Sequence, residues 1–230
     1  MESKKKENYR YERKFFIEHL SLNHVYTIIK HNPYLFSEIY NQRFVNNIYF
    51  DTPEFSSFYE NIAGIDRRQK LRIRWYNNLL GAIKSPTLEI KSKIGLVGKK
   101  NSFPLPDFEM SLNTSTNDII ELINNSQIAK SIKSNGLMPV LVNRYLRKYF
   151  QSYNKKYRIT VDNDLSFYAI SNRKFTMLKN FKDNMSIILE VKYDTDADME
   201  AHDLTNFFPF RLTKSSKYIL GINNLAIVSE

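Results

Sequence analysis

The chain has 230 residues, 42% of them hydrophobic and 25% charged, which suits a globular fold with a sizeable core rather than a disordered chain and favours one domain over two. Lys and Arg number 34 against 24 acidic residues, a formal net charge of +10 that selects anionic partners without choosing among nucleic acid, phosphorylated metabolites and a membrane face. There is no cysteine, which excludes disulfides, thiolate catalysis and thiolate metal sites, and no apolar run is long enough for a secretory signal or a membrane span, so a soluble, cytoplasmic protein is expected.

Residues 1–8 (MESKKKEN) read as a flexible, solvated tail, with 9–230 as the folded unit. Tyr9 to Ile17 alternates as a strand, and a helical segment follows from about Glu18 to Lys30 before Pro33. Phe44 to Phe50 is the next strand. Asp51 or Thr52 can then cap a short helix reaching about Asn61, with Pro53 at its first position. Lys70 to Tyr76 and Thr87 to Lys93 are strands joined as a hairpin, and 95–106 reads as a Gly, Lys and Pro loop. Helical spacing returns from Thr116 to about Ile132, closed by Gly136 and Pro139. Strands are expected at Val140 to Gln151, Lys156 to Asp162, weakly at Phe167 to Ile170 or Phe175 to Leu178, and at Met185 to Tyr193. Short helices around Met199 to Phe207 and Ser215 to Asn223 finish the chain. Seven or eight alternating strands interrupted by helices predict an α+β fold: an antiparallel β-barrel, closed or nearly so, decorated with helices.

Charged residues recur at every second position inside these strands: Glu12 and Lys14, Arg72 and Arg74, Glu89 and Lys91, Glu190 and Lys192. Successive strand side chains point to opposite faces, so each pair shares one face, and pairs converging on a wet interior would make a polyanion site. Taken alone, Arg72 and Arg74 also fit an exposed outer face, and Glu190 with Lys192 also fits a surface salt-bridge ladder. The acid-x-base spacing occurs three times, which favours the lined interior. Arg147 alternates with Tyr145 and Tyr149, and Arg158 with Thr160 and Asp162, whereas Arg144 and Lys148 take the opposite parity. Arginine forks together with mobile lysines suit a phosphate chain better than a single carboxylate. Lys214, Ser216 and Lys217 open the last predicted helix, where free N–H groups favour an anion, although Thr213 or Ser215 can be a plain N-cap. Glu190 and Glu12 are the candidate ligands for a divalent Mg or Mn ion, while either Glu12 or Glu89 can instead hold an arginine. The four histidines show no metal-ligand spacing.

The ordered set YERKF at 11–15, NIYFDT at 47–52, KLRIRWY at 70–76, LEIKSK at 88–93, NRYLRKYFQ at 143–151, YRITVD at 157–162, LEVKYD at 189–194 and LTKSSKYILG at 212–221 resembles the VTC domain, the catalytic domain of polyphosphate polymerases within the triphosphate tunnel metalloenzyme (CYTH-like) superfamily. The resemblance implies a tunnel of antiparallel strands. It also implies basic phosphate-binding residues at Lys14, Arg72, Arg74, Lys91, Arg147, Arg158, Lys214 and Lys217, with Ser216 in the same cluster and Lys192 nearby, and a metal-binding carboxylate at Glu190. Position 10 is Arg where a fuller acidic motif would place Glu, which tilts the resemblance toward the polymerase branch. The implied activity is transfer of the ATP γ-phosphate to a growing inorganic polyphosphate chain with release of ADP. A triphosphatase or polyphosphatase, or a non-catalytic polyphosphate-binding protein, is the alternative. ATP, inorganic polyphosphate, triphosphate and pyrophosphate are the implied partners; nucleic acid is disfavoured, because the basic residues face inward and no basic recognition helix is evident.

Overall fold

The computed structural model describes residues 9–126, 136–171 and 174–228. The tail expected over 1–8, and the part of the expected helix beyond 126, lie outside the described residues.

Strand β1 (Arg10–Ile17) leads to helix α1 (Leu22–Lys30), which starts later than the periodicity suggested because the Ser21 side chain caps it by accepting from the His24 amide. Strand β2 (Ser37–Asp51) precedes helix α2 (Ser56–Ile62). Asp51 anchors that helix: its carboxylate accepts from the amides of Thr52, Ser57 and Phe58. Strands β3 (Arg67–Tyr76), β4 (Gly81–Ile83), β5 (Thr87–Ile94), β6 (Val97–Pro104) and β7 (Phe108–Met110) follow, then helix α3 (Thr116–Asn124). A reciprocal capping box between Ser115 and Asp118 opens α3. Strands β8 (Met138–Gln151), β9 (Tyr157–Ser171), β10 (Lys174–Asp183) and β11 (Ile187–Asp194) and helices α4 (Asp198–Asn206) and α5 (Lys217–Asn224) complete the chain. Among the described residues, no helix is long and apolar enough to cross a membrane.

Two expectations are corrected. The segment 95–106 is not a loop: β6 forms a hairpin with β5, with Ile94 opposite Val97 and Gly95 at φ +56° in the two-residue turn. Its sequence, VGKKNSFP, carries little apolar alternation, so the strand owes its existence to its partner rather than to its own pattern.

The second correction concerns the closed antiparallel barrel tunnel. The nine-stranded sheet runs β10-β9-β11-β1-β6-β5-β3-β2-β8, with β9 also paired to β8, and every described pairing is antiparallel. This is a ring of strands, not a closed barrel. Strand β9 pairs with β11 over Tyr157 to Asp162, then passes a register shift near Asn163 and pairs with β10 from Leu165 onward. Strand β10 therefore leaves the ring as a free edge. On the opposite side, β1 and β6 share only Arg10 with Gly98 and Tyr11 with Val97.

Alternation sorts side chains onto two faces. The outer face of β1, β9 and β11 buries Phe15, Tyr157, Ile159, Leu189 and Val191 against Val25 and Ile29 of α1 and Ala201 and Leu204 of α4. The outer face of β2, β3 and β5 buries Ile48, Ile73, Trp75 and Leu88 with Ile119 and Ile123 of α3. A third cluster fills one end of the inner face, where Tyr218, Ile222 and Leu225, in and just after α5, meet Leu141, Leu165, Phe167 and Ile188. The remaining inner positions carry the charges.

Gly221 permits this insertion. A Cβ there would lie 2.6 Å from Leu141 Cδ2 and 2.6 Å from Phe167 Cδ1, both on fully buried residues. Gly221→Ala is expected to lower stability by about 1 kcal/mol, because overpacking by about 1–3 kcal/mol outweighs a helix-propensity gain of about 1 kcal/mol. Urea denaturation with an unshifted or higher midpoint would show that α5 does not need this close approach.

Candidate functional site

The inner face of β3 presents Lys70, Arg72 and Arg74, because Leu71, Ile73 and Trp75 are drawn into the outer core. Arg72 and Glu89 are directly opposite in the β3–β5 register. Arg72 donates from Nε to Glu89 Oε2 at 2.8 Å, Arg74 lies 3.5 Å from the same oxygen, and Lys100 of β6 reaches Oε1 at 2.7 Å. Burial alone would raise the Glu89 carboxyl, but Arg72, Arg74 and Lys100 hold it far below the usual carboxylate range. Arg74 also donates to Asn47 Oδ1 (2.9 Å) and to the Tyr145 hydroxyl (3.3 Å), and Arg72 to the Tyr49 hydroxyl (3.3 Å).

A second cluster is centred on Asp162 of β9. Arg147, opposite it on β8, grips the carboxylate with Nε at 2.5 Å and Nη2 at 2.7 Å, and Lys217 at the start of α5 reaches Oδ2 at 2.5 Å. One buried carboxylate thereby ties β8, β9 and α5 together. Burial pushes Asp162 up, while Arg147 and Lys217 overcome that and hold it at about 2.

The third cluster spans β1, β5 and β11. Glu12 opposes Lys192, and Lys14 opposes Glu190. Lys192 lies 3.1 Å and Lys14 3.8 Å from Glu190, and Lys91 pairs with Glu12 at 2.5 Å. Glu190 is buried, which would raise its pKa, yet Lys192, Lys14 and Lys91 with a hydrogen bond to Glu12 hold it well below the usual range. Lys14 Nζ also donates to the Ser215 carbonyl at 3.1 Å, joining β1 to the entry of α5.

Of the site residues expected from sequence, Glu12, Lys14, Arg72, Arg74, Lys91, Arg147, Glu190, Lys192, Ser216 and Lys217 come together on this inner face. Arg158 and Lys214 stand exposed beside it, and among the described residues neither makes an ion pair. Arg144 and Lys148 lie on the opposite face, stacked over Phe44 and paired with Glu38 respectively.

The sequence reading missed Lys70, Lys100, Asn47 and Tyr49 as site residues and gave Asp162 no role, while Glu89 was expected on the inner face as a carboxylate that can hold an arginine. Lys70 shares the parity of Arg72 and could have been found by extending the alternation one step back. Its Nζ donates to Ser216 Oγ at 3.0 Å, and burial, reinforced by Lys14, Lys91, Arg68 and Arg72, lowers its pKa well below the lysine norm. Lys100 lay in a segment read as a loop, 95–106, whose glycines and lysines resemble a phosphate loop only superficially and carry no strand alternation.

Glu12 and Glu190 are the hard oxygen donors that converge here. Among the described residues, no group of three or more His, Asp or Glu side chains is placed to hold a metal ion. Two carboxylates suit a Mg- or Mn-type ion whose remaining ligands are phosphate oxygens and water. Thr160, opposite Glu190, adds a buried Oγ1 with no hydrogen-bond partner among the described residues, which a hydrated ligand would satisfy. The donor set fits such an ion only when a phosphate ligand completes it.

The fold has counterparts among solved structures. A candidate adenylate cyclase from Vibrio parahaemolyticus matches with a TM-score of 0.51 at 13% identity, over 91% of this chain and 97% of that one. A candidate adenylyl cyclase from Hippeastrum, described as having a dominant triphosphatase activity, matches with a TM-score of 0.51 at 13% identity, over 94% and 96%. No curated protein matches the chain. The model of the VTC domain matches residues 9–226, covering all three charged clusters. With that match over residues 9–226, the chain belongs to the VTC domain family.

Proposed function

We propose that this inner face binds the phosphate chain of a triphosphate or of inorganic polyphosphate and cleaves its terminal phosphoanhydride to water, as a metal-dependent triphosphatase or polyphosphatase. The observation that carries the reading is the convergence, among the described residues, of Lys14, Lys70, Arg72, Arg74, Lys91, Lys100, Arg147, Lys192 and Lys217 around the carboxylates of Glu12, Glu89, Asp162 and Glu190. That surplus of positive charge calls for a multivalent anion. The triphosphatase activity described for the Hippeastrum protein supports water as the acceptor.

Phosphoryl transfer needs placement and charge neutralisation rather than a protein nucleophile. Arg72, Arg74 and Arg147 are pre-aimed by Glu89, Asn47 and Asp162, so their guanidiniums pay little reorganisation when phosphate oxygens arrive. Lys14, Lys91 and Lys192 surround the carboxylate pair and meet the charge that grows on the leaving phosphate. A divalent ion held by Glu12 and Glu190 would supply further neutralisation of the phosphate oxygens when bound. Water forms the new P–O bond and gives up a proton to solvent or to the departing phosphate, the bridging P–O bond breaks, and its electron pair leaves with the shortened chain.

A second reading, transfer to the end of a polyphosphate chain, is supported by the VTC domain match and by position 10, where Arg10 pairs with Asp194 at 2.9 Å instead of adding a carboxylate. Incubation with ATP or tripolyphosphate and Mn or Mg, with and without a short polyphosphate primer, separates the readings. Free phosphate is the expected product. Lengthening chains would replace the hydrolytic reading with the transfer reading, and tight binding without turnover would leave a binding protein.

Lys91 makes binding pH-dependent. Burial, with Lys14 and Lys192, brings it from its ordinary 10.5 to about 8 against the opposing pull of Glu12 and Glu190. A bound polyanion raises it again, so binding takes up protons and tripolyphosphate affinity should fall as pH rises from 7 to 9. Stability responds with the opposite sign: between about pH 8 and 10.5 the unfolded chain holds the extra proton, so this group's contribution to stability rises with pH. Isothermal titration at several pH values checks this, and an identical profile in Lys91→Met would remove Lys91 as the cause.

A further inference from the structure

The lysines of the inner face are not equivalent. Lys14, Lys91, Lys100, Lys192 and Lys217 each lie beside a carboxylate, whereas Lys70 makes no ion pair among the described residues. In the β3–β5 register it stands directly opposite another lysine, Lys91, an arrangement that disfavours two charges. Its hydrogen-bond partners are neutral. The Lys70 Nζ donates to Ser216 Oγ at 3.0 Å and, with the Asn61 amide turned so that its oxygen faces the amine, to that oxygen at 2.9 Å. Two acceptors match the two N–H bonds of a neutral amine and leave its lone pair free, while an ammonium would bring a third N–H.

The charged groups that act on it most strongly are all cations: Lys14 of β1, Lys91 of β5, and Arg68 and Arg72 of its own strand. From α5 it meets the Tyr218 ring, whose centroid lies 5.4 Å from Nζ and whose hydroxyl is committed to Asp51. Burial first, and then those cations, favour the free amine, which makes Lys70 a nucleophile near neutral pH. The side chain is half-buried, so a small reagent can reach it. The same surroundings select the electrophile. Arg72 follows two positions along β3, a rise of about 7 Å, and Lys91 stands across from the amine, so a phosphate held by these two sets a group attached to it beside the lone pair.

We propose that Lys70 is an acylation site that takes its acyl group from acyl phosphates, the mixed anhydrides of a carboxylic acid and phosphate. The inference rests on the reading of the inner face as a phosphate site and adds covalent regulation to it. The Lys70 nitrogen attacks the acyl carbon and forms the N–C bond; the C–O bond to phosphate breaks and its electron pair leaves with inorganic phosphate, which takes the proton lost from nitrogen. The product is an uncharged amide. An unmodified Lys70 takes up a proton when a phosphate chain arrives, and the amide cannot, so acylation weakens chain binding.

The test treats the intact protein with acetyl phosphate at neutral pH, or with acetic anhydride as a donor that lacks phosphate, and maps acetyl-lysine by peptide mass spectrometry. Lys70 is expected to acetylate about tenfold or more faster than the exposed Lys84 and Lys156, because an ordinary lysine is almost wholly protonated there. That preference should be smaller with acetic anhydride and should fall when tripolyphosphate is present. At the stage where Lys70 is the principal label, tripolyphosphate affinity by isothermal titration should drop about threefold or more in wild type, and Lys70→Arg treated in the same way should keep its own untreated affinity. Even labelling of the three lysines, a preference equal for both donors or indifferent to tripolyphosphate, or an equal drop in Lys70→Arg overturns the acylation site. If tripolyphosphate still binds in that case, the phosphate reading stands; a protein that binds no tripolyphosphate overturns both.

Discussion

Glu190→Gln is expected to reduce metal-dependent turnover by on the order of a hundredfold or more, with tripolyphosphate binding held or tightened. The amide keeps the shape of the carboxylate but removes the negative charge facing Lys192, Lys14 and Lys91. Those ammonium groups then face the ligand without an internal competitor, while one of the two hard oxygen donors for a divalent ion is weakened. The divergence between turnover and binding is the diagnostic result. Comparable turnover in wild type and variant would take Glu190 out of the chemistry. Stability supplies an independent readout: the folded carboxyl titrates below its ordinary 4.5, so its contribution is complete above that pH and lost as pH falls below it. The variant should therefore melt lower at pH 7 and lose part of the wild-type decline in stability below pH 4.5.

Arg147→Ala should produce the largest loss of stability, about 3 kcal/mol or more, together with loss of phosphate-chain binding. Its side chain is 8% exposed and the Asp162 side chain wholly buried, so truncation leaves a carboxylate in the interior with Lys217 as its remaining ion-pair partner. The cost comes from stranding that charge rather than from losing an attraction. Asp162→Asn on top of Arg147→Ala should accordingly recover part of the stability without recovering binding. Urea denaturation of the single and double variants checks both statements. A single variant within about 1 kcal/mol of wild type would mean that the carboxylate reaches water or takes up a proton at little cost.

Much of the site was legible because strand parity is a local property. Arg72 with Arg74 and Glu190 with Lys192 had to share a face once Ile73 and Val191 were committed to a core, and the structure puts all four on the inner face. Lys100 was not legible: VGKKNSFP carries no alternation, and its strand is held by pairing with β5. Asp162 was visible beside Arg158 in YRITVD but gave no hint that it, and not Arg158, would be enclosed. That difference arises because Asp162 lies opposite Arg147 and under Lys217, whereas Arg158 lies near the end of β9 and remains exposed.

Backbone geometry at the scale of a few residues follows from sequence alone, so the two faces of each strand, the capped helices and the spacing of the charges could be read directly. Which face turned inward, and that the strands made a ring with β10 as a free edge instead of a closed barrel, was decided by contacts between distant segments. The change of partner along β9 and the entry of α5 through the space beside Gly221 are such contacts. They depend on where separate hydrophobic surfaces find one another, and no local periodicity carries that information.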